Sequence, residues 1–311
     1  MRSEREMYDL ILEYALRDQR VRGVILNGSR ADPVASLDQL RDFDIVYLVT
    51  DITPYKEGDI SSAFGEILVM QRPDESELFG DHLPEEAAYL MQFRDGNRID
   101  LTVAKKENYR GYCFDDRLSI VLLDKDGFLP ELPPPSAVTH SVAKPSQRLF
   151  EECRVEFWWT APYVSKALCR ERLLLAQHLL EECSRPMLRL MAAWLIGAEQ
   201  GFPVFPGKGG DGLAPYLSSS LWERYLETYV PCQTEALRGA LFTACGLFSE
   251  LTSLAAQKLG FSCDGRLDRE VPGFLKEVQP AMAALPPSPS WEKEIQRTIE
   301  TGKQTFHRKG T

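Results

Sequence analysis

Two aspartates separated by one residue, Asp42 and Asp44, lie in the apolar run 40–49. The run is rich in β-branched and other apolar residues, which predicts a buried strand. Alternate residues of a strand point to the same face, so the two carboxylates would lie side by side in an apolar setting. Carboxylates placed this way repel each other and are costly to desolvate unless a cation neutralises them. Because Mg²⁺ prefers hard oxygen ligands and keeps waters or phosphates in its remaining positions, the pair predicts a metal–phosphate site.

Two further features fit this chemistry. Gly28 and Ser29 follow directly on a predicted strand at 21–26. Glycine lets the backbone approach a phosphate closely, and a serine hydroxyl can hold phosphate oxygens. Asp100 lies in a later predicted strand at 97–103 and offers a third carboxylate. Taken singly, each feature has a plain alternative: an ordinary turn, a solvated edge strand, or an edge-strand carboxylate. Their combination and order are more specific than any one of them.

The elements that must position these residues change character along the chain. A capping box, Ser3-x-x-Glu6, predicts a first helix that ends near residue 18. Further strands are predicted at 43–49, 65–71 and 118–123, and the segment 87–93 fits either a strand or a helix. The segment 130–135 carries four prolines and predicts a linker. Predicted helices beyond it span 146–160, 162–183, 185–200, 218–229, 233–259 and 290–303. The fold class is therefore α+β, with a domain at 1–135 followed by an all-α helical bundle domain at 136–311.

Charge and cysteine content limit the partners. The formal net charge of −10 argues against a duplex nucleic acid held by phosphate contacts, and it suits a cationic small molecule. Seven scattered cysteines without a CxxC pair predict reduced thiols rather than a disulfide framework or a zinc site. We find no apolar signal core and no run of about 20 apolar residues, so we expect a soluble, cytoplasmic protein without membrane contact.

The order of strand, Gly-Ser, Asp-x-Asp and a downstream third carboxylate resembles the DNA polymerase beta-like nucleotidyltransferases. The chain is more closely similar to the aminoglycoside 6-adenylyltransferase family, and the similar segments run through both halves. They are Met1-Arg2-Ser3-Glu4, Glu6-Met7, Gly28-Ser29-Arg30, Asp42-Phe43-Asp44-Ile45, Met70-Gln71-Arg72-Pro73, Glu77-Leu78-Phe79, Asp100-Leu101-Thr102, Leu123-Asp124-Lys125-Asp126, Glu156-Phe157-Trp158, Tyr163-Val164-x-Lys166 and Gly207-Lys208. The resemblance implies a mixed sheet, three carboxylates around one or two Mg²⁺ ions, and transfer of AMP from ATP to a hydroxyl of streptomycin with release of pyrophosphate. It also implies a role in antibiotic resistance.

The resemblance assigns roles to individual residues. Asp42 and Asp44 ligate Mg²⁺ that bridges the ATP phosphates, and Asp100 completes the metal site, accepts the hydroxyl proton, or does both. Gly28 and Ser29 hold the triphosphate.

Three basic residues are candidate nucleotide contacts. Arg30 meets a phosphate or forms a surface salt bridge. Lys166, in an apolar helical pattern, contacts the triphosphate or simply extends from a helix face into water. Lys208 lies in a glycine-rich segment that is not a P-loop, because no Ser or Thr follows it. It resembles the lysine with which related enzymes hold ATP, and its alternative is a solvated loop lysine.

A cationic acceptor needs carboxylates. Glu152 and Glu156 are four residues apart on a predicted helix and share a face, with Trp158 just beyond them. We expect this cluster to bind the acceptor, and Glu77 is a weaker candidate. The alternative is a surface acid pair beside core tryptophans. Two other functions remain open: nucleotidyl transfer to another small-molecule or protein hydroxyl, and a non-catalytic nucleotide-binding partner protein of this fold.

Overall fold

The structure, a computed structural model, describes residues 1–33, 38–78 and 85–284. The chain forms two compact units, the first from Met1 to Ser141 and the second from Val142 onward. The predicted helix at 290–303 lies outside the described residues.

The first unit is built on a six-stranded mixed sheet, as expected. Its strands are β1 Val21–Asn27, β2 Phe43–Val49, β3 Ile67–Gln71, β4 Glu86–Phe93, β5 Arg98–Lys105 and β6 Ser119–Asp124. The order across the sheet is β3-β4-β5-β2-β1-β6, in which only the β2–β5 pair is parallel. The segment that fitted either strand or helix is β4, whose residues alternate between buried and part-exposed.

The two faces of this sheet are covered unequally. Helix α1, Glu4–Arg17, begins with the predicted capping box and packs Met7, Ile11 and Ala15 into the larger core, which includes the odd-numbered residues of β2. The opposite face carries a smaller cluster around Val46 and Leu48, under the short helix Tyr109–Phe114. The short helices of this unit are α2, Thr53–Glu57, and α3, Tyr109–Phe114. Part of one sheet face is thus left for polar side chains.

The second unit is helical, as predicted, but its helix boundaries differ from those expected. Its helices are α4 Gln147–Cys169, α5 Leu173–Leu179, α6 Arg185–Gln200, α7 Ser219–Leu226, α8 Thr234–Leu259 and α9 Arg266–Ala283, with a π-helical turn between α5 and α6. The predicted break at Pro162 is wrong, because α4 continues through this proline. Buried neighbours on both sides, such as Ala161 and Val164, stabilise the helix against the cost of an internal proline, about 3 kcal/mol. The chain instead leaves α4 near Glu171, whose φ is 56°.

Two helices of this unit bear on other predictions. Helix α9 was not predicted, because Pro272, Gly273 and Pro280 interrupt its helical pattern. Helix α8 has the length and composition of a membrane-spanning helix, a test that buried core helices also pass. In the structure it packs its apolar residues into the core of the second unit. None of the seven cysteines, all of which lie within the described residues, forms a disulfide, and three of them, Cys113, Cys153 and Cys245, are buried in the cores.

Candidate active site

The structure brings the three predicted carboxylates together on the less covered face of the sheet. Asp44 in β2 is paired in register with Asp100 in the parallel strand β5, and with Asn27 in β1 on its other side. Asp42 precedes β2 and lies two residues before Asp44, so its side chain starts from the same face. Strand register, which the sequence pattern did not define, therefore places Asp44 and Asp100 side by side.

A cation from the protein itself lies among these carboxylates. Arg98 donates from Nε and Nη2 to the two oxygens of Asp100, at 2.7 Å each, and its Nη1 is 3.4 Å from Oδ2 of Asp42. The hydrogen-bonded Asp100 carboxylate, followed by the charges of Asp42 and Asp44, raises the pKa of the Arg98 guanidinium. The site thus already holds one positive charge against three carboxylates. Arg98 was not among the residues predicted from the sequence. It lies two residues before Asp100 on a predicted strand, and this spacing indicates that the two side chains share a face.

Gly28 is required where Asp44 approaches the turn after β1. Its φ is +70°, and a Cβ built on it would lie 2.2 Å from Oδ2 of Asp44. Its N–H donates to the Leu118 carbonyl at 3.0 Å, and residues Gly28–Arg30 form one 3₁₀ turn. The Gly-Ser turn and the Asp44 carboxylate are therefore in close contact, and a side chain at position 28 would displace that carboxylate.

Arg30 holds this turn to the start of β2. Its side chain is 3% exposed and pairs with Glu4 at 2.7 Å. Its Nε and Nη2 donate to the carbonyls of Arg41 and Asp42, at distances from 2.7 to 3.1 Å, and its guanidinium lies 3.7 Å from the centroid of the Phe43 ring. The structure therefore favours the salt-bridge alternative over a phosphate contact, and the pair is buried on the arginine side rather than lying on the surface.

The remaining predicted contacts are spread over both units. Glu77 is exposed in the first unit. Lys208 is exposed at the start of a 3₁₀ segment, Lys208–Leu213, in which Gly209 and Gly210 adopt positive φ. A Cβ on Gly210 would lie 2.9 Å from the Tyr225 hydroxyl, whereas one on Gly209 would meet nothing within 4 Å, so the segment is packed at Gly210 and open at Gly209, the residue after Lys208.

The acidic cluster of the second unit lines a cavity. Glu152 and Glu156 open into a space of about 910 Å³ between α4 and the segment before α9, together with Glu151 and Asp264. Glu152 also pairs with Arg148 at 2.8 Å, whereas the Glu156 side chain is exposed. Burial raises the pKa of the nearby Cys153 thiol to about 12, and the negative charge of Glu156 contributes to this shift. The structure therefore brings both predicted glutamates to one concave, acidic surface.

Trp158 lies beside this cavity rather than in it. It is 2% exposed and packs edge-on against Phe157 and Phe248. Its exposed neighbour is Trp159, which is 76% exposed. Both tryptophans and Lys166 line a second cavity of about 510 Å³, which meets the first at Val155. The indole N–H of Trp158 has no hydrogen-bond partner among the described residues.

Arg154 lines the acidic cavity and connects the two helices beside it. It is buried in α4, donates to Glu151 at 2.6 Å and to Asp268 of α9 at 2.7 Å, and so ties the two helices together. The sequence signal for the first pair was the i, i+3 spacing, whereas nothing in the sequence indicated the partner in α9.

The carboxylate set suits a divalent metal ion, because Asp42, Asp44 and Asp100 offer hard oxygen ligands from one sheet face. The guanidinium of Arg98 already occupies the place of a cation between Asp42 and Asp100. Within residues 1–33, 38–78 and 85–284, no three His, Cys, Asp or Glu side chains are close enough together to hold a metal ion. To hold an ion, these carboxylates would have to come closer together than they lie in this structure.

Comparisons with known proteins show the family to which the chain is related. A family model described as streptomycin adenylyltransferase matches residues 1–278. Two curated relatives named aminoglycoside 6-adenylyltransferase are each 37% identical. The one from Bacillus subtilis (strain 168) matches over 265 residues, 84% of this chain and 93% of its own length. The one from Campylobacter jejuni matches over 262 residues, 84% of this chain and 91% of its own length. A solved aminoglycoside 6-adenyltransferase from Bacillus subtilis is 32% identical, covers 89% of this chain and 99% of its own, and superposes with a TM-score of 0.44.

Proposed function

Because the chain belongs to the streptomycin adenylyltransferase family, we propose that it transfers AMP from Mg²⁺-bound ATP to a hydroxyl of streptomycin and releases pyrophosphate. Nucleotidyl transfer to an aminoglycoside is the activity for which its relatives are named. The observation that carries the proposal is the register that pairs Asp44 with Asp100 beside Asp42. A binding protein gains nothing from three mutually repelling carboxylates, so this arrangement favours catalysis over a non-catalytic role.

The chemistry joins the acceptor oxygen to the α-phosphorus of ATP and breaks the bond to the β-phosphate oxygen. Bound Mg²⁺ would neutralise charge on the transferring phosphoryl group. Asp42 and Asp44 would hold the ion, and the Ser29 hydroxyl beside Gly28 would hold a phosphate oxygen. Asp100 would serve as the third ligand, as the acceptor of the proton that the attacking hydroxyl loses, or as both.

The acceptor is the finer part of the proposal. Streptomycin is a cation, and the acidic cavity with Glu152 and Glu156 offers the complementary charge. The neighbouring cavity adds the exposed face of Trp159, on which a guanidinium can stack. The chain's net charge of −10 favours the approach of such a ligand. We place this reaction in the cytoplasm, where it would confer resistance.

The test is pyrophosphate release from ATP and Mg²⁺ in the presence of streptomycin, with the adenylylated product identified by mass spectrometry. Asp100→Asn should abolish release while circular dichroism shows an intact fold. Release only with other aminoglycosides or with a protein acceptor would support the other nucleotidyltransferase function. If no acceptor gives release, the non-catalytic alternative holds. Turnover by Asp100→Asn at the rate of the unmodified protein would contradict the site assignment.

A further inference from the structure

The contacts of Arg98 raise the question of what happens to it when a metal ion enters. Its fork takes both oxygens of Asp100, and its third nitrogen reaches Asp42, so it contacts two of the three carboxylates proposed as ligands. Its side chain is 40% exposed, and among the described residues its hydrogen bonds and ion pairs are with these two acids. The part-exposed guanidinium can therefore move out toward solvent when the acids bind another cation.

A metal ion and this guanidinium need the same oxygens. Mg²⁺ binds a carboxylate oxygen at about 2.1 Å, much closer than the nitrogen–oxygen distance of the ion pair. A fork that lies on both oxygens of one carboxylate takes one lone pair of each oxygen, and a bound ion would have to share the remaining ones. The two positive charges would also repel each other at this separation. Entry of a metal is therefore opposed as long as the guanidinium stays on Asp100 and Asp42.

We propose that Arg98 is the internal counter-cation of the carboxylate set and that it competes with the divalent metal ion, so that it sets the affinity of the nucleotide-free enzyme for metal. This role rests on the proposed metal site. Arg98 is in this view a positioning residue: it neutralises the carboxylates before the metal arrives and leaves them when it binds. Metal binding without nucleotide is weakened by the competition, which favours loading of the site by metal that arrives with ATP.

The experiment measures binding of Mn²⁺, an oxygen-seeking substitute for Mg²⁺, by the loss of its free-ion electron paramagnetic resonance signal. Neither ATP nor an acceptor is present, so the result does not depend on turnover. Arg98→Gln removes the competing charge and should tighten binding about tenfold. Arg98→Lys keeps the charge without the fork and should fall between the two. The control is Arg17→Gln, which removes an equal charge at an exposed i, i+4 pair with Glu13 and should change nothing.

The outcomes separate this proposal from the proposed function. If Arg98→Gln is folded by circular dichroism and binds Mn²⁺ no more tightly than the unmodified protein, the competition is refuted. Weaker binding would also refute it, since Arg98 would then organise the carboxylates for the metal. If Asp100→Asn placed in the Arg98→Gln protein leaves binding unchanged, or no variant binds Mn²⁺, the metal site itself fails, and the proposed function fails with it on a separate measurement.

Discussion

The close approach of Gly28 to Asp44 gives a substitution with two separable effects. In Gly28→Ala the new Cβ would be placed 2.2 Å from Oδ2 and 3.0 Å from Cγ of Asp44. Relief of that contact requires the carboxylate to move by roughly 1 Å. The residue must also adopt φ +70°, which costs an alanine about 1–2 kcal/mol. We therefore expect lower stability and, independently, a misplaced ligand.

Gly127→Ala is the matched control. Gly127 has a φ of +66°, and a Cβ there would meet nothing within 4 Å. The control therefore carries the backbone strain of Gly28→Ala without the contact with Asp44. Both variants should lose about 1–2 kcal/mol in urea unfolding from backbone strain, and Gly28→Ala should lose more than the control because of its contact with Asp44. Only Gly28→Ala should lose about a hundredfold in kcat for pyrophosphate release, because a 1 Å misplacement of a reacting group has effects of that size.

A double variant isolates the contact. Asp44→Ala removes the carboxylate that the new Cβ would meet, so Gly28→Ala in that background should cost only the strain seen in the control. If Gly28→Ala and Gly127→Ala turn over at equal rates, or if the double variant still shows the larger loss of stability, the contact between Gly28 and Asp44 does not organise the site and the reasoning is refuted.

Three further predictions concern the supporting residues. Arg30→Gln should lower the free energy of unfolding by about 2–4 kcal/mol, measured in urea, because the carbonyls of Arg41 and Asp42 lose a buried donor. If Arg30→Lys is as stable as the unmodified protein, the fork of Arg30 does not have this role. Burial would raise the pKa of Asp18, but hydrogen bonds from Arg20 and Tyr55 outweigh it and lower that pKa to about 2 from an ordinary 3.8. The Asp18 carboxylate therefore stabilises the fold fully above pH 3.8, and this contribution is lost as the pH falls through 2. The free energy of unfolding in urea should therefore depend less on acid pH in Asp18→Asn than in the unmodified protein. An equal dependence in the two proteins would contradict the stabilising role of Asp18. Glu156→Gln should raise the KM for streptomycin about threefold to tenfold with little change in kcat. The control is Glu227→Gln, which removes an equal charge at the end of α7, outside the cavity, and should leave KM unaltered. If both variants raise KM equally, only the net charge of the protein affects binding, and Glu156 does not contact the acceptor.

Local patterns predicted the elements that carry the chemistry. The capping box at Ser3 predicted α1, and the apolar run around Asp42 predicted β2 with both carboxylates on one face. These predictions succeed because capping and strand alternation depend on residues that are near in sequence. The break at Pro162 was predicted by the same reasoning and is wrong, because packing of residues distant in sequence stabilises α4 across the proline.

Contacts between distant residues account for what the sequence did not indicate. Arg98 was passed over, since its role depends on the register that sets β5 beside β2. Arg30 was placed among the nucleotide contacts, whereas its surroundings form only when α1, the Gly-Ser turn and the start of β2 meet. Trp158 and Trp159 are adjacent and chemically alike, and only the packing against Phe248 decides that the first is buried and the second exposed.

The sequence by itself determined the kind of chemistry: three carboxylates on or next to strands, a Gly-Ser turn and an acidic helix pair, each defined by residue type and short-range spacing. The tertiary structure decided which of these groups meet. Hydrogen-bond register places Asp44 against Asp100, a positive φ lets Gly28 lie next to Asp44, and the guanidinium of Arg98 contacts both Asp100 and Asp42. Short-range spacing fixes the direction of a side chain from its own backbone, but strand pairing and packing fix its neighbours, and a metal–phosphate site depends on both.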